Sequence, residues 1–89
     1  MPIPEPDLSR LRNILNTHRA AANLTFDQLA AVSGVSRQTL LNISSGKYRG
    51  DLRTWLKLAR AFEIGLDDLL QPVWDGDEGA AQHRARRAR

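Results

Sequence analysis

The apolar residues of this 89-residue chain recur every three or four positions, which is the period of an amphipathic α-helix. Glycines and polar residues interrupt the pattern and divide it into segments. These segments predict helix 1 from about Asp7 to Asn23, helix 2 from Thr25 to Gly34, helix 3 from Ser36 to Gly46, helix 4 from Asp51 to Phe62 and a short helix 5 over 66–70. None of them alternates like a strand, so the expected fold class is all-α, a compact five-helix domain.

Residues suited to helix ends support these boundaries. Thr25 with Gln28 three positions later forms a capping box, in which side chains accept from main-chain donors at the helix start. Ser36 and Asp51 are good N-caps, and Gly34 permits the positive φ of a sharp turn. The expected inward stripes are Leu8, Leu11, Ile14, Leu15 and Ala22 in helix 1, and Leu52, Trp55, Leu56, Ala59 and Phe62 in helix 4.

The two ends of the chain differ from this helical middle. Prolines at positions 2, 4 and 6 predict an extended leader over 1–6, and the domain is expected to occupy 7–74. Residues 75–89 are polar and end in RARRAR, which predicts a disordered basic tail. The tail is either a solubilising end or an arm that contacts DNA. Trp74 either packs back onto helices 1 and 5 or, with helix 5 and Val73, contacts a second copy of the chain.

The amino-acid composition limits the possible classes of function more than it limits the possible folds. A chain of 89 residues can build one core but leaves little room for a catalytic cavity, so an enzyme is disfavoured. There is no cysteine, and His18 and His83 are far apart, so neither a metal site nor a cofactor is expected. Asp67 and Asp68 suit the first turn of a helix without any acid–base role. The sequence shows no signal-like or membrane-spanning run, and a cytoplasmic protein without a membrane partner is expected.

The net charge of +3 is too small to identify a partner, but its distribution is informative. Four basic residues fall within 37–53, a stretch that contains only one acidic residue, whereas Glu63, Asp67 and Asp68 follow it. One end of the domain is therefore expected to be basic, which is a weak indication of a nucleic-acid-binding face.

Helices 2 and 3 are predicted to form a closely joined pair. Ala30 is small enough for helix 3 to cross close to helix 2, and Val35 is placed to fill the corner after Gly34. Leu40 and Ile43 are expected to face inward. The opposite side of helix 3 then carries Gln38, Leu41, Asn42 and Ser45, with Arg37 at one edge. Helix 3 is thus expected to be held from behind and to project polar side chains.

The joint spacing of these features resembles the Cro/phage-repressor type of helix-turn-helix domain, the XRE family, over roughly residues 8–71. The features are the run LAAVSGVS, the apolar positions of helix 3, the SGK loop and the later LRTWLKLARAFEIGLDDLL. The resemblance implies a bundle of five helices whose helix-turn-helix is formed by helices 2 and 3. It also implies a transcriptional regulator that places helix 3 in the major groove of double-stranded DNA and binds as a homodimer.

The resemblance also implies site residues, position by position. Base edges would be read by Ser36, Arg37, Gln38 and Asn42, and the chemistry agrees, because Arg can donate twice to guanine and Gln or Asn can pair with adenine. Leu41 either touches a thymine methyl or is an ordinary surface leucine. Phosphate contacts would come from Thr25, Phe26, Gln28, Ser45, Lys47, Tyr48 and Arg49.

Three positions depart from the family's pattern. Phe26 stands where a phosphate-binding glutamine is frequent, so its contact is either lost or made by its main-chain N–H. Ser44 replaces a glutamate that commonly pairs with the helix 1 arginine, so Arg19 is expected to bond Ser44 or helix-end carbonyls instead. Glu63 replaces the usual glycine between helices 4 and 5, which predicts a strained or rearranged turn.

The protein is expected to be a sequence-specific DNA-binding regulator of transcription that acts as a repressor. One alternative is an antitoxin-type regulator that binds operator DNA and a protein partner together. Another is a protein-interaction module on the same fold. A protein-binding version would show a contiguous apolar patch on the exposed side of helix 3, and the polar residues there favour DNA.

Overall fold

A computed structural model describes residues 3–74. Over that range the chain is helical, with no strand: a short 3-10 turn, Leu8–Arg10, leads directly into the first of five α-helices. The helices are α1 Leu11–Ala21, α2 Phe26–Ser33, α3 Arg37–Ser45, α4 Leu52–Ala61 and α5 Leu66–Leu70. The predicted all-α five-helix fold is confirmed. The predicted tail, 75–89, and the first two residues of the predicted leader lie outside the described residues.

The predicted helix ends carry the predicted caps. The Thr25 side chain accepts from the Gln28 N–H at 3.1 Å, and the Thr25 N–H donates to Gln28 Oε1 at 2.9 Å, which completes the capping box of α2. Ser36 and Asp51 accept from the N–H groups of the third residues of α3 and α4. These bonds satisfy donors that have no partner within the helix, and each is worth about 1 kcal/mol.

A single core holds the helices together. It is entirely apolar among the described residues, since no polar or charged residue there is buried. Its members come from every α-helix, from the turn between α2 and α3 and from the segment after α5: Leu11, Ile14, Leu15, Leu29, Val35, Leu40, Ile43, Trp55, Leu58, Ala59, Leu69 and Val73. Because α1 and α3 share this core, and α2 packs on α3, the position of α3 is fixed from several sides.

Two of the predicted inward stripes need correction. In helix 1, Leu8 lies in the 3-10 turn and Ala22 lies past the end of α1, and both are exposed. In α4, Leu52 and Leu56 are exposed and Leu58 is fully buried. At 3.6 residues per turn, Leu56 lies about 110° from the centre of the buried stripe, so it cannot reach the core that Leu58 enters.

The segment after α5 also differs from the expectation that its residues contact a second copy of the chain. Val73 was a candidate contact with a second copy of the chain, but it is buried in its own domain, and its carbonyl accepts from the Asp7 N–H at 2.6 Å. This bond joins the start of the domain to its end. Trp74 is 42% exposed, so of the two residues that follow Pro72 it is the accessible one.

Candidate nucleic-acid interface

Helix α3 is held by its inner face. Leu40 and Ile43 are completely buried, and Val35 is buried at the corner that precedes the helix. Gly34, with φ of 76°, ends α2, and Gly46, with φ of 86°, ends α3. The core thus fixes the back of α3 while its other side faces outward, as the helical period predicted.

The outward side carries a bonded pair of amides. Gln38 is exposed and Asn42 is half-buried, one turn further along. Gln38 Nε2 donates to Asn42 Oδ1 at 3.1 Å, so the two amides hold each other in one orientation on the helix surface. Leu41 is half-buried beside them. The Ser36 hydroxyl bonds Thr39 and serves as the N-cap of α3.

Arg37, the first residue of α3, reaches back to α2. Its Nε lies 2.9 Å from Oδ1 of Asp27, and both side chains are largely exposed, at 58% and 80%. Asp27 is the second residue of α2. Asp27 was not predicted as a site residue, because the pairing depends on how α2 and α3 cross and no spacing along the chain reveals it.

The start of α2 combines a cap with a stacked arginine. Arg19 lies over the Phe26 ring, 4.4 Å from its centroid, and its Nη1 donates to the Leu24 carbonyl at 2.8 Å. Phe26 is half-buried and also packs against the core. Its main-chain N–H, at the first position of α2, is one of the helix donors that have no partner within the helix and can therefore face an anion.

Two partners were expected for Arg19, Ser44 or a carbonyl at a helix end, and the structure shows the carbonyl. Arg19 bonds a carbonyl near the helix end, and Ser44 bonds Asn16 instead: the Ser44 hydroxyl donates to Asn16 Oδ1 at 2.6 Å, and Asn16 Nδ2 donates to the Ser44 carbonyl at 3.3 Å. This pair ties α1 to α3. Within the described part of the chain, the buried Nε of Arg19 has no hydrogen-bond partner.

The loop after α3 has a fixed backbone and exposed side chains. The N–H groups of Lys47 and Tyr48 donate to the Asn42 carbonyl at 2.9 and 3.2 Å. The Arg49 carbonyl accepts from the buried Trp55 indole at 2.8 Å. The side chains of Lys47, Tyr48 and Arg49 nevertheless face solvent, so two cations extend from a rigid loop next to the outward side of α3.

A further basic residue, Arg12 of α1, lies beside this loop. A Cβ at position 46 would stand 3.4 Å from Arg12 Cδ and Nη1, so the side chain packs against the left-handed Gly46. With Arg49 it lines a groove of about 200 Å³ whose other walls are Leu8, Ser9, Leu11, Ile43, Gly46 and Tyr48. Arg12 was not among the predicted site residues, because helical period marks it only as an exposed residue of helix 1.

Comparison with known proteins identifies this arrangement. A helix-turn-helix family model, HTH_3, matches residues 15–69, which is more than half of the chain. The chain belongs to the Cro/C1-type helix-turn-helix family. This family comprises DNA-binding regulators of transcription and is not an enzyme class.

Three relatives of this helix-turn-helix protein match it over 68 residues. An uncharacterized HTH-type transcriptional regulator of Methanocaldococcus jannaschii is 38% identical over 68 residues, which is 76% of this chain and 100% of that protein. Two uncharacterized HTH-type transcriptional regulators of Archaeoglobus fulgidus are 34% and 32% identical over the same length, covering 94% and 93% of their chains. No solved structure matches the sequence significantly.

The described part of the helix-turn-helix domain offers neither a membrane span nor a metal cluster. None of the helices within residues 3–74 has the length and apolar character to cross a bilayer. In the same range, no group of three or more His, Cys, Asp or Glu side chains is arranged to hold a metal ion.

Proposed function

We propose that this protein is a sequence-specific regulator that inserts α3 into the major groove of its operator and acts as a repressor by occupying that site. The observation that carries the proposal is the two-sidedness of α3. Leu40 and Ile43 lock its back into the core, whereas Gln38 and Asn42 stand bonded to each other on the outward side. A rigid helix with oriented amides fits the width of the major groove and its pattern of donors and acceptors.

The outward groups suit particular base edges. The guanidinium of Arg37 can donate twice to O6 and N7 of guanine, and an amide such as Gln38 or Asn42 can pair with N6 and N7 of adenine. Leu41, half-buried beside them, would touch a thymine methyl. Ser36 contributes by starting α3 at the groove and holding its first turn in shape.

Phosphate contacts on two sides of α3 would set its register on the duplex. On one side are Thr25, Gln28 and the main-chain N–H of Phe26, at the start of α2. On the other are the side chains of the loop after α3 and the nearby helix α1: Ser45, Lys47, Tyr48, Arg49 and Arg12. The cations of this second group supply affinity that does not depend on sequence.

The outward side of α3 does not favour the protein-interaction alternative. Of its side chains only Leu41 is apolar, and it is half-buried. A docking helix would need a contiguous apolar surface there. The antitoxin-type alternative, in which DNA and a protein partner bind at different surfaces, would keep the same role for α3.

The test separates specificity from general affinity. After selection of a preferred site from random DNA, Gln38→Ala or Asn42→Ala should cost about 1–3 kcal/mol on that site and almost nothing on random DNA. Lys47→Ala should weaken both classes of DNA about equally and lower the slope of log affinity against log salt by roughly one unit. Fluorescence anisotropy over a salt series measures both quantities, and circular dichroism checks the fold of each variant.

Equal losses on preferred and random DNA for Gln38→Ala and Asn42→Ala would refute α3 as the reading element. Lys47→Ala is the matched control, because it removes a contact from the adjacent loop without touching a side chain of α3.

A further inference from the structure

We infer that Asp27 is a positioning residue for Arg37, and that their ion pair sets a preference for guanine at the base pair that Arg37 contacts. The inference rests on the proposed function, in which α3 reads the major groove. It starts from the bond between Arg37 Nε and Asp27 Oδ1, at 2.9 Å, which links the first turn of α2 to the first residue of α3.

The location of Asp27 is unfavourable for DNA binding by charge alone. The start of α2 is where the proposed function places a phosphate, and a carboxylate there repels it. An acidic residue in the first turn of a helix is stabilised by the helix dipole, which accounts for the residue type. The dipole does not account for the pairing with a cation from the next helix.

The geometry divides the donors of Arg37 between two tasks. A guanidinium has five N–H donors in one plane, and a bidentate contact with guanine O6 and N7 uses two of them. The bond to Asp27 uses Nε, so the two Nη groups keep donors for the base. Because the guanidinium is planar, fixing Nε also fixes the plane in which those donors lie.

The pairing also lowers the cost of ordering a long side chain. An exposed arginine loses rotamer freedom when it binds a base, and a bond formed in advance reduces that loss. In water an exposed ion pair is weak, and exclusion of water by DNA strengthens it. If Arg37 turned to a phosphate instead, Asp27 would be left without its cation beside the DNA backbone. Asp27 therefore disfavours the non-specific mode as well as supporting the specific one.

Two substitutions at one position separate hydrogen bonding from charge. Asp27→Ala removes both the carboxylate and the acceptor, whereas Asp27→Asn removes the charge and keeps an acceptor for Arg37 Nε. Asp67→Ala is the matched control, because Asp67 is also the second residue of its helix, α5, and carries the same charge. Arg37→Ala identifies the base pair that Arg37 reads. Thermal melting followed by circular dichroism confirms that each variant is folded.

The measured quantity is the ratio of affinities for duplexes with guanine and adenine at that base pair. A bidentate arginine contact corresponds to about a 5- to 150-fold ratio, which Arg37→Ala should abolish. Asp27→Ala should lower the ratio by about 2- to 5-fold, Asp27→Asn should retain most of it, and Asp67→Ala should leave it unchanged. Without DNA, the Arg37 Nε–H resonance should shift in Asp27→Ala more than in Asp27→Asn.

Two results would overturn the inference. One is an unchanged ratio in Asp27→Ala accompanied by a uniform rise in affinity, which would mean that Asp27 acts only as a charge. The other is an Arg37→Ala variant that keeps every base preference, which would mean that Arg37 reads no base. Neither result resembles failure of the proposed function, in which Gln38→Ala and Asn42→Ala would lose affinity equally on all sequences.

Discussion

At the scale of single residues, Gly50 is the tightest constraint in the loop that follows α3. Its φ is 82°, and a Cβ there would stand 2.7 Å from the indole nitrogen of Trp55 and 3.3 Å from Cδ1 of Ile43. That indole nitrogen donates to the Arg49 carbonyl, so the same contact orients the loop that carries the exposed cations. Gly34 has a similar φ of 76° but nothing within 4 Å of such a Cβ.

Gly50→Ala should therefore destabilise the protein more than Gly34→Ala. Both substitutions carry the left-handed backbone cost of about 1–2 kcal/mol. Only the first also displaces Trp55 from its bond, which raises the expected cost to about 2–4 kcal/mol. Urea denaturation followed by circular dichroism measures the two free energies of unfolding. Equal losses would show that the loop yields around the added methyl group without disturbing Trp55.

His18 is the residue through which stability should respond to mild acid. Its ring lies 5.4 Å from the Phe62 ring, and burial lowers its pKa below the ordinary value of 6.5. The unfolded chain then binds a proton at His18 more readily than the folded chain does. The free energy of unfolding therefore has its full value above about pH 6.5 and falls as the pH decreases toward and through the pKa of the folded state. The loss should be under about 1 kcal/mol, because water screens a ring that is only half-buried.

The measurement is the free energy of unfolding at pH 7.5 and pH 5.5 for the wild type and for His18→Gln. The variant should lose the part of the pH dependence that His18 causes. His83 is present in both proteins and cancels from the difference. Asp7 and Asp51 do not interfere, because hydrogen bonds from Ser9 and Thr54 lower the pKa of each carboxyl below 3.8, outside this range. An identical pH dependence in the two proteins would contradict the assignment.

At the scale of elements, α4 shows how narrow a buried stripe can be. Trp55, Leu58 and Ala59 enter the core, whereas Leu52 and Leu56 are 66% and 50% exposed. The turn after α4 was expected to be strained or rearranged. Glu63 has φ of 57°, so this residue keeps a left-handed backbone that favours glycine, which is the strained form. The helix can bury only one side, because α2 and α5 pack on it and the rest faces solvent.

Leu58→Ala and Leu56→Ala should differ accordingly. Removing the Leu58 side chain leaves a cavity in the core and should cost about 2–5 kcal/mol. Removing that of Leu56 should change stability by no more than about 0.5 kcal/mol, the usual range for surface positions. Thermal and urea unfolding of the two variants under one set of conditions checks both values. A large loss for Leu56→Ala would mean that its side chain has a buried neighbour.

At the scale of the whole molecule, one domain presents one helix, α3, that we propose reads DNA. A single helix covers few base pairs, and the common solution is a dimer whose half-sites lie about 34–36 Å apart, one turn of DNA. We therefore expect two chains on a palindromic operator. Trp74, 42% exposed at the end of the described chain, is the residue we propose for the contact between them.

Analytical ultracentrifugation on a palindromic duplex should show two chains bound cooperatively. Inserting five base pairs between the half-sites should abolish cooperativity, because it rotates one half-site by about half a turn. Trp74→Ala should reduce cooperativity without changing affinity for a single half-site. One chain per palindrome would remove the dimer, and a Trp74→Ala variant with full cooperativity would place the contact elsewhere.

The sequence by itself determined the features that depend on local chemistry. The capping box of Thr25 and Gln28, the N-caps Ser36 and Asp51 and the turn at Gly34 act over at most four residues, so their patterns could be recognised directly. The outward side of α3 followed from helical period, because Leu40 and Ile43 left only one orientation. The family resemblance supplied the roles proposed for that side.

Only the tertiary structure decided which side chains meet across helices. The pairs Asp27 with Arg37, Asn16 with Ser44 and Arg12 with Gly46 depend on the angles at which helices cross. Those angles are set by the packing of the whole core, and no periodicity along one helix contains them. The error in α4 has a different cause. Helical period itself groups Leu58 with Trp55 and Ala59 and leaves Leu56 outside that stripe, so the expected stripe departed from the period.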